Sequence, residues 1–325
     1  MPVNKQLPNK VVSLDAQEGE ASDDDDSFSS ASSITYSEYG DLGIEFRQEK
    51  SDRLGNAIGE SHSAWSEGER ELFMRLAMRG FEPIVPKDWR LDFATLPKLL
   101  FARSVRESSL ISAVKRGSSF YAIKSLSRLC TLGGRVRDCD VRRISPAHVI
   151  KRGVDNYLNW AFYDGSLKAR SRALRTHVFY TKKRREATRD ALERVNRRLC
   201  ALAQRYQDAA IMGTTSTPAE AEAAEGEGTG MEPVHTVTFP ILVGFLVCGP
   251  LLVIVTLDST PTSNAVMRFI CQFDMGESGQ DVWNALAVAI AVMHIRTTMR
   301  TIEAEWQQGL WNLPDGRRGG EDLDF

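Results

Sequence analysis

The sequence contains no lysine between Lys183 and its last residue, Phe325. This absence excludes the usual Asp…Glu-x-Lys nuclease site from the C-terminal part of the chain, because that site needs a lysine beside its carboxylates. The phosphate-loop motif G-x-x-x-x-G-K-[ST], the dinucleotide motif G-x-G-x-x-G and the zinc motif H-E-x-x-H are also missing. We therefore predict no catalytic residues and no cofactor, and we expect a protein that is not an enzyme.

Cysteine and histidine are sparse, with five of each. The cysteines never form a C-x-x-C pair, which predicts neither a disulfide framework nor a zinc site. No two histidines stand three or four residues apart, so no helical metal site is expected. The first residues lack the basic and then apolar pattern of a secretory signal. These absences predict reduced thiols, an intracellular location and no bound metal.

Charge is plentiful but unevenly distributed along the chain. The formal net charge is only −2, yet residues 101–200 hold 24 Lys and Arg against 8 Asp and Glu. Residues 1–60 hold 5 against 13, and residues 201–325 hold 6 against 16. A middle segment this basic needs an acidic partner, which is nucleic acid, a membrane surface, another protein or the acidic ends of the chain itself.

Composition divides the chain into an arm, one domain and a tail. Residues 1–63 are rich in Ser, Asp, Glu and Gly, and they predict a disordered acidic arm. Residues 64–312 carry the periodic apolar positions and predict a single domain. Within it, residues 213–232 are acidic and of low complexity, which predicts a flexible loop, and residues 313–325 predict a disordered tail.

Local signals predict four helices before the acidic loop. Ser66 and Glu69 have capping-box spacing at the start of the first helix. In the second helix we expect Phe120 on the buried side and Gly133-Gly134 as the stop. The segment THVFYT, which ends at Thr181, predicts a short strand. The predicted helices span about residues 66–79, 118–132, 145–165 and 185–212.

The region after the acidic loop predicts a small sheet and a helix. Residues 236–273 are apolar and β-branched and predict an antiparallel β-meander, while residues 280–304 predict a C-terminal helix packed on it. Residues 239–257 carry no charge and are long enough to span a membrane. The central pair Gly249-Pro250 instead favours two buried strands joined there. We expect a mainly helical α+β domain, with a membrane anchor at 239–257 as the alternative.

The strongest signal for a partner is the basic stretch at 170–198, which we predict as a basic helix. The residues expected to bind nucleic acid or an acidic partner are Arg175, Lys182, Lys183, Arg184, Arg185 and Arg189. Such a cluster can grip a phosphate backbone, with an affinity that falls steeply with salt. The alternative is a solvated helix face that Glu186, Asp190 and Glu193 partly neutralise. Residues 182–185 also resemble a monopartite nuclear import signal.

A second partner signal lies in the arm. It consists of an apolar segment and the acids that trail it, and its residues are Val11, Val12, Leu14 and Asp15. The pattern resembles a SUMO-interaction motif, in which apolar residues extend an edge strand and acids meet a basic rim. We therefore expect these residues to bind a protein partner such as SUMO.

Two longer resemblances add context. The segment WSEGERELF at 65–73 is similar to the first helix of Myb/SANT modules, but no recognition helix follows and no function is carried over. The segments LPKLLF, GSSFYAIKSL, NYLNWAFYDG and QFDMGESGQDVWNALAVAI resemble an uncharacterised family of filamentous-ascomycete proteins, over about residues 65–305. That resemblance implies a fold shared among fungi and no established activity.

These observations predict a non-enzymatic intracellular protein that acts through protein interaction, in the nucleus and at chromatin. Nucleic-acid binding through 170–198 is the first alternative, and a membrane protein anchored by 239–257 is the second. The cytoplasm is the alternative location.

Overall fold

The computed structural model describes residues 65–104, 107, 109–115, 117–170, 172–215, 237–261 and 266–313. Six α-helices and a four-stranded sheet form in these residues, which confirms the predicted mainly helical α+β fold. The helices are α1 (Glu67–Ala77), α2 (Ser119–Cys130), α3 (Leu132–Arg142), α4 (Pro146–Asp164), α5 (Thr188–Thr215) and α6 (Asp281–Gln307). The strands are β1 (His177–Thr181), β2 (Ile241–Cys248), β3 (Leu251–Asp258) and β4 (Arg268–Asp274).

Short 3-10 segments at Lys87–Leu91, Lys98–Leu100 and Lys168–Arg170 link these elements. The predicted arm at 1–63 lies outside the described residues, as does the predicted tail after residue 313. The first three residues of the predicted acidic loop, 213–215, belong to α5, and the rest of that loop also lies outside the described residues.

Helix starts follow the local capping signals. In α1, Ser66 Oγ accepts a hydrogen bond from the Glu69 amide at 3.4 Å, and Glu69 Oε2 accepts one from the Ser66 amide at 3.1 Å. Helix α4 begins at Pro146 and ends before Gly165, although the Ser145 side chain makes no capping hydrogen bond. These boundaries agree with the sequence because a capping box and a first-turn proline act on residues adjacent in the chain.

The role predicted for Gly133-Gly134 is wrong. Helix α2 ends at Cys130 without them, and both glycines lie in the first turn of α3. A Cβ atom at Gly133 would overlap the carboxylate of Asp281, the first residue of α6. Gly133 therefore permits the close approach of α3 to α6, and the neighbouring Arg137 binds the same carboxylate through two bonds of 2.9 Å.

The sheet contains the predicted meander and one further strand. Strands β2, β3 and β4 pair antiparallel in sequence order, and β1 pairs parallel with β2 at the edge. The sheet is therefore mixed, with α5 as the crossover that a parallel pair requires. The sequence predicts a strand at THVFYT, but nothing near it in the chain identifies its partner.

Residues 239–257, the candidate membrane anchor, contain most of the β2–β3 hairpin. The strands join at Gly249 and Pro250, with Gly249 at φ 63°, and Cys248 pairs with Leu251. Both faces of the hairpin are covered: α5 packs on one, and α4 and α6 pack on the other. The long charge-free run thus corresponds to two buried strands instead of a spanning helix.

Helix α6 is the centre of the core. It packs against α1, α2, α3, α4 and β2, and residues 284–293 are all buried. Among the described helices it alone is long and apolar enough to cross a membrane, and most of its apolar stretch is buried within the fold. The core helix of a soluble protein has the same length and composition.

Candidate binding surfaces

The basic stretch at 170–198 is not one helix, so this part of the prediction is wrong. It contains a 3-10 segment, strand β1, a connection at 182–187 and the first turns of α5. We call residues 182–187 the basic loop. Its first residue, Lys182, continues the pairing of β1 with β2, because its amide donates a hydrogen bond to the Val247 carbonyl at 2.9 Å. The chain therefore continues along the end of β2 before it turns toward α5.

Glu186 holds the basic loop in shape. Its Oε1 accepts a hydrogen bond from the Tyr180 hydroxyl at 2.8 Å, and its Oε2 accepts one from the Lys183 amide at 2.9 Å. Arg194 Nε of α5 lies 3.0 Å from Oε1, and the carboxylate side chain is only 7% exposed. The hydrogen bond from the Lys183 amide is the main cause that lowers the pKa of Glu186. The acid within the basic run thus points inward and ties the loop to β1 and α5.

The cations of the basic loop, unlike Glu186, are not paired with groups of opposite charge in the described part of the chain. Lys183, Arg184 and Arg185 are exposed, and Lys182 is half-buried. None of the four forms an ion pair with any residue that the structure describes. Arg189, at the start of α5, does have a partner, because its Nε lies 2.9 Å from Glu193 Oε1 in an exposed pair. The loop therefore carries a net positive charge, although the charge of Lys183 helps to lower the pKa of Glu186.

Arg175 lies apart from the basic loop, although the sequence groups it with the others. It precedes β1, whereas the loop follows β1, and a five-residue strand is about 17 Å long. Its backbone carbonyl accepts hydrogen bonds from Arg205 Nη2 and the Tyr206 hydroxyl, both at 3.3 Å. Burial and the neighbouring arginines lower the pKa of Arg175. Arg175 therefore belongs to the packing of β1 against α5.

The predicted SUMO-binding residues Val11, Val12, Leu14 and Asp15 lie outside the described residues. Their role stays a prediction.

A second basic surface was missed by the sequence analysis. Phe120, which was expected to be buried, is 65% exposed, and its neighbour Tyr121 is 61% exposed. The buried stripe of α2 instead consists of Ala122, Leu126 and Leu129. Because these residues are four and three positions apart, they form one buried face of the helix without Phe120. This spacing is the sequence signal that predicts an exposed Phe120.

We call the exposed side of α2 that carries Phe120, Tyr121, Lys124 and Arg128 the α2 face. The two rings meet edge to face with centroids 5.5 Å apart, and Lys124 Nζ lies 5.9 Å from the Phe120 centroid. Helix α2 has no acidic residue. The surface therefore combines exposed aromatic rings with cations, and no acid of α2 itself neutralises them.

Cations from two further helices extend the α2 face. Arg135 of α3 donates from Nη2 to the carbonyl of Arg128 at 3.0 Å. Burial, together with the charges of Arg128 and of Arg152 on α4, lowers the pKa of Arg135. At the other end, Lys115 Nζ lies 4.2 Å from the ring centroid of the exposed Tyr163.

Other charged groups are used inside the fold. Glu69 is fully buried, where its Oε1 accepts a hydrogen bond from Thr256 Oγ1 at 2.9 Å and its Oε2 lies 2.9 Å from Arg268 Nε. Arg296 and Asp164 form a second buried pair at 2.8 Å. These pairs join segments that are distant in the chain and leave neither group for a ligand.

No group of three or more His, Cys, Asp or Glu side chains in the described part of the chain is arranged to hold a metal ion. Two histidines are half-buried, each with one ring nitrogen shielded from solvent, and burial lowers the pKa of His177 to about 3 and that of His294 to about 4. Neutral imidazoles of this kind contribute to packing.

Comparison of the chain with protein-family models, with curated proteins and with solved structures gives no match. The resemblance to a filamentous-ascomycete family stays a prediction, and the function rests on the two basic surfaces.

Proposed function

We propose that this chain is a non-enzymatic protein-interaction protein, and that its basic loop binds an acidic segment of a partner protein. The observation that carries the proposal is the run of four cations at 182–185 that form no ion pair with a described residue, with Glu186 turned inward. Four residues span at most about 14 Å, which matches a short extended acidic peptide better than the many phosphates of a long duplex contact. The exposed position of the loop allows such a peptide to bind without any rearrangement of the core.

The test is fluorescence anisotropy of the full chain with a labelled Glu-rich peptide and with a Gln-rich peptide of equal length. Replacing residues 183–185 with alanine is expected to weaken binding of the Glu-rich peptide by about tenfold, because exposed charges each contribute modestly. The matched control replaces Lys87, Arg90 and Lys98, which are equally exposed, and so removes the same net charge elsewhere. Equal weakening by both variants would show a general charge effect and contradict the proposal.

Nucleic acid is the second candidate for the same loop. It is favoured by the position of the loop directly before Thr188, the first residue of α5, because a helix N-terminus attracts phosphate. A duplex oligonucleotide in the same assay distinguishes the candidates. If the duplex binds more tightly than the Glu-rich peptide, and the variant of residues 183–185 abolishes this binding, the ligand of the loop is nucleic acid and not an acidic peptide.

We also propose that the protein acts in the nucleus, at chromatin, with the run at 182–185, of which residues 183–185 are exposed, as the import signal. The test is fluorescence microscopy of the full chain fused to a fluorescent protein. The variant of residues 183–185 is expected to lose nuclear enrichment, whereas the control variant of Lys87, Arg90 and Lys98 keeps it. Equal distribution of the unaltered fusion between nucleus and cytoplasm would contradict this location.

A further inference from the structure

The α2 face presents two large rings to solvent in a cationic setting. Phe120 and Tyr121 are each more than half exposed and adjoin one another, and contiguous exposed apolar surface marks an interaction site better than a single exposed side chain does. The rings do not belong to the core stripe of α2, so the fold does not need them where they are. Because the rings lie next to Lys124 and Arg128, a matching ligand has both a flat surface that packs on the rings and negative charge.

The spacing along α2 fits a short polyanion. Phe120, Lys124 and Arg128 follow one another at intervals of four residues, which places them on one side of the helix. The distance from Phe120 to Arg128 along the axis is about 12 Å, and phosphates of one stacked strand repeat at about 3.4 Å. The helix face therefore accommodates roughly three phosphates, and Arg135 and Arg152 continue the charge beyond it.

The same features argue against a peptide ligand. A peptide helix docks in an apolar groove, whereas the α2 face is the outward side of a single helix. An acidic extended peptide would satisfy Lys124 and Arg128 but would leave the two rings without a contact. Nucleobases, in contrast, stack on aromatic rings irrespective of their sequence while the backbone follows the cations.

We propose that the α2 face binds a short stretch of single-stranded nucleic acid. Bases stack on Phe120 and Tyr121, and the phosphates lie against Lys124, Arg128 and Arg135. A duplex is disfavoured because its bases are already stacked and paired and cannot reach the rings. This site is separate from the basic loop and does not rest on the function proposed for that loop.

The experiment uses the full chain and a fluorescent oligothymidylate or oligouridylate of roughly twelve nucleotides, measured by anisotropy. Replacing Phe120 and Tyr121 together with alanine is expected to weaken binding at least tenfold, because two stacking contacts are lost. The matched control is Phe269→Ala, which removes an exposed ring from β4, and it is expected to leave binding unchanged. Circular dichroism checks that each variant keeps its unfolding temperature.

The cations give an independent readout. Replacing Lys124 and Arg128 with alanine is expected to reduce the slope of log affinity against log salt by about 1.4, since each phosphate contact on a single strand contributes about 0.7. The ring variant is expected to lower affinity and leave this slope unchanged. If alanine at Phe120 and Tyr121 lowers the unfolding temperature, leucine at both positions keeps the apolar bulk and still removes the stacking surface.

Three results would overturn the proposal. The first is binding that is absent or is unaffected by the ring variants. The second is tighter binding of a duplex of the same length. The third is equal competition by a Glu-rich peptide, which would make the α2 face a site for acidic protein. Ring-dependent binding of single strands with the expected salt slopes supports it.

Discussion

The buried pair formed by Arg296 and Asp164 gives the most exacting test of the fold. Arg296 Nη1 lies 2.8 Å from Asp164 Oδ2 and also donates to the Ser112 carbonyl at 2.9 Å. Asp164 accepts two backbone hydrogen bonds as well, from Val114 at 2.8 Å and Lys115 at 3.2 Å. The arginine side chain is 6% exposed and the aspartate 0%. This pair therefore ties the segment before α2 to the C-terminal end of α4 and the middle of α6.

Replacing Arg296 with methionine leaves the Asp164 carboxylate buried with only its two amide donors. The expected cost is about 3–5 kcal/mol of unfolding free energy, the usual cost of breaking a buried pair from one side. At roughly 2–4 °C per kcal/mol for a domain of this size, the unfolding temperature should fall on the order of 10 °C. Adding Asp164→Asn to Arg296→Met removes the stranded charge, but it also turns one acceptor oxygen into an NH2 group that faces the Val114 or Lys115 amide, so the double variant should recover only a small part of the loss.

The measurement is urea and thermal unfolding of the full chain, followed by circular dichroism. The control is Arg189→Ala, which breaks an ion pair with side chains 87% and 56% exposed and should leave the midpoint unchanged. A cost below about 1 kcal/mol for Arg296→Met would refute the reasoning, since the carboxylate would then have another source of compensation.

Two further predictions concern stability. The pKa of His177 is about 3 in the folded chain and about 6.5 in the unfolded chain. As the pH falls, the unfolded chain therefore binds the proton first. The contribution of His177 to the free energy of unfolding then falls by about 1.4 kcal/mol for each pH unit below 6.5. Urea midpoints from pH 7 to 5 should show a weaker pH dependence for His177→Gln, whereas the exposed control His148→Gln should follow the unaltered chain. A Cβ atom at Gly244 would lie 2.6 Å from Val255 Cγ2, so Gly244→Ala should cost about 1–3 kcal/mol in thermal unfolding. Gly134→Ala, with no atom closer than 3.9 Å, should be neutral or stabilising, and an equal loss in both variants would contradict the close-approach explanation.

The proposed sites were only partly visible in the sequence. The run at 182–185 is a contiguous cluster of charge, so it could be named before the structure was known. Its structural setting could not, because the inward turn of Glu186 depends on Tyr180 and on Arg194 of α5. The α2 face was missed because Phe120 was assigned to the core by its hydrophobicity, whereas helical phase and the neighbouring helices determine which side is covered.

The sequence by itself determined the features that depend on neighbouring residues. The capping box at Ser66 and the start of α4 at Pro146 follow from groups that meet within one turn. The β2–β3 hairpin follows in the same way, because Gly249 and Pro250 interrupt a long β-branched run. Each of these signals acts over a few residues and can therefore be recognised in the sequence without a tertiary structure.

Only the tertiary structure decided the features that join distant segments. The parallel placement of β1 beside β2 depends on how α5 crosses the sheet, and no local pattern encodes that partner. The pairing of Glu69 with Arg268, and the use of Gly133 for contact with α6, likewise arise when remote parts of the chain pack together. Charge counts in the sequence gave the amount of basic surface, but burial and pairing in the fold decided which cations are left for a partner.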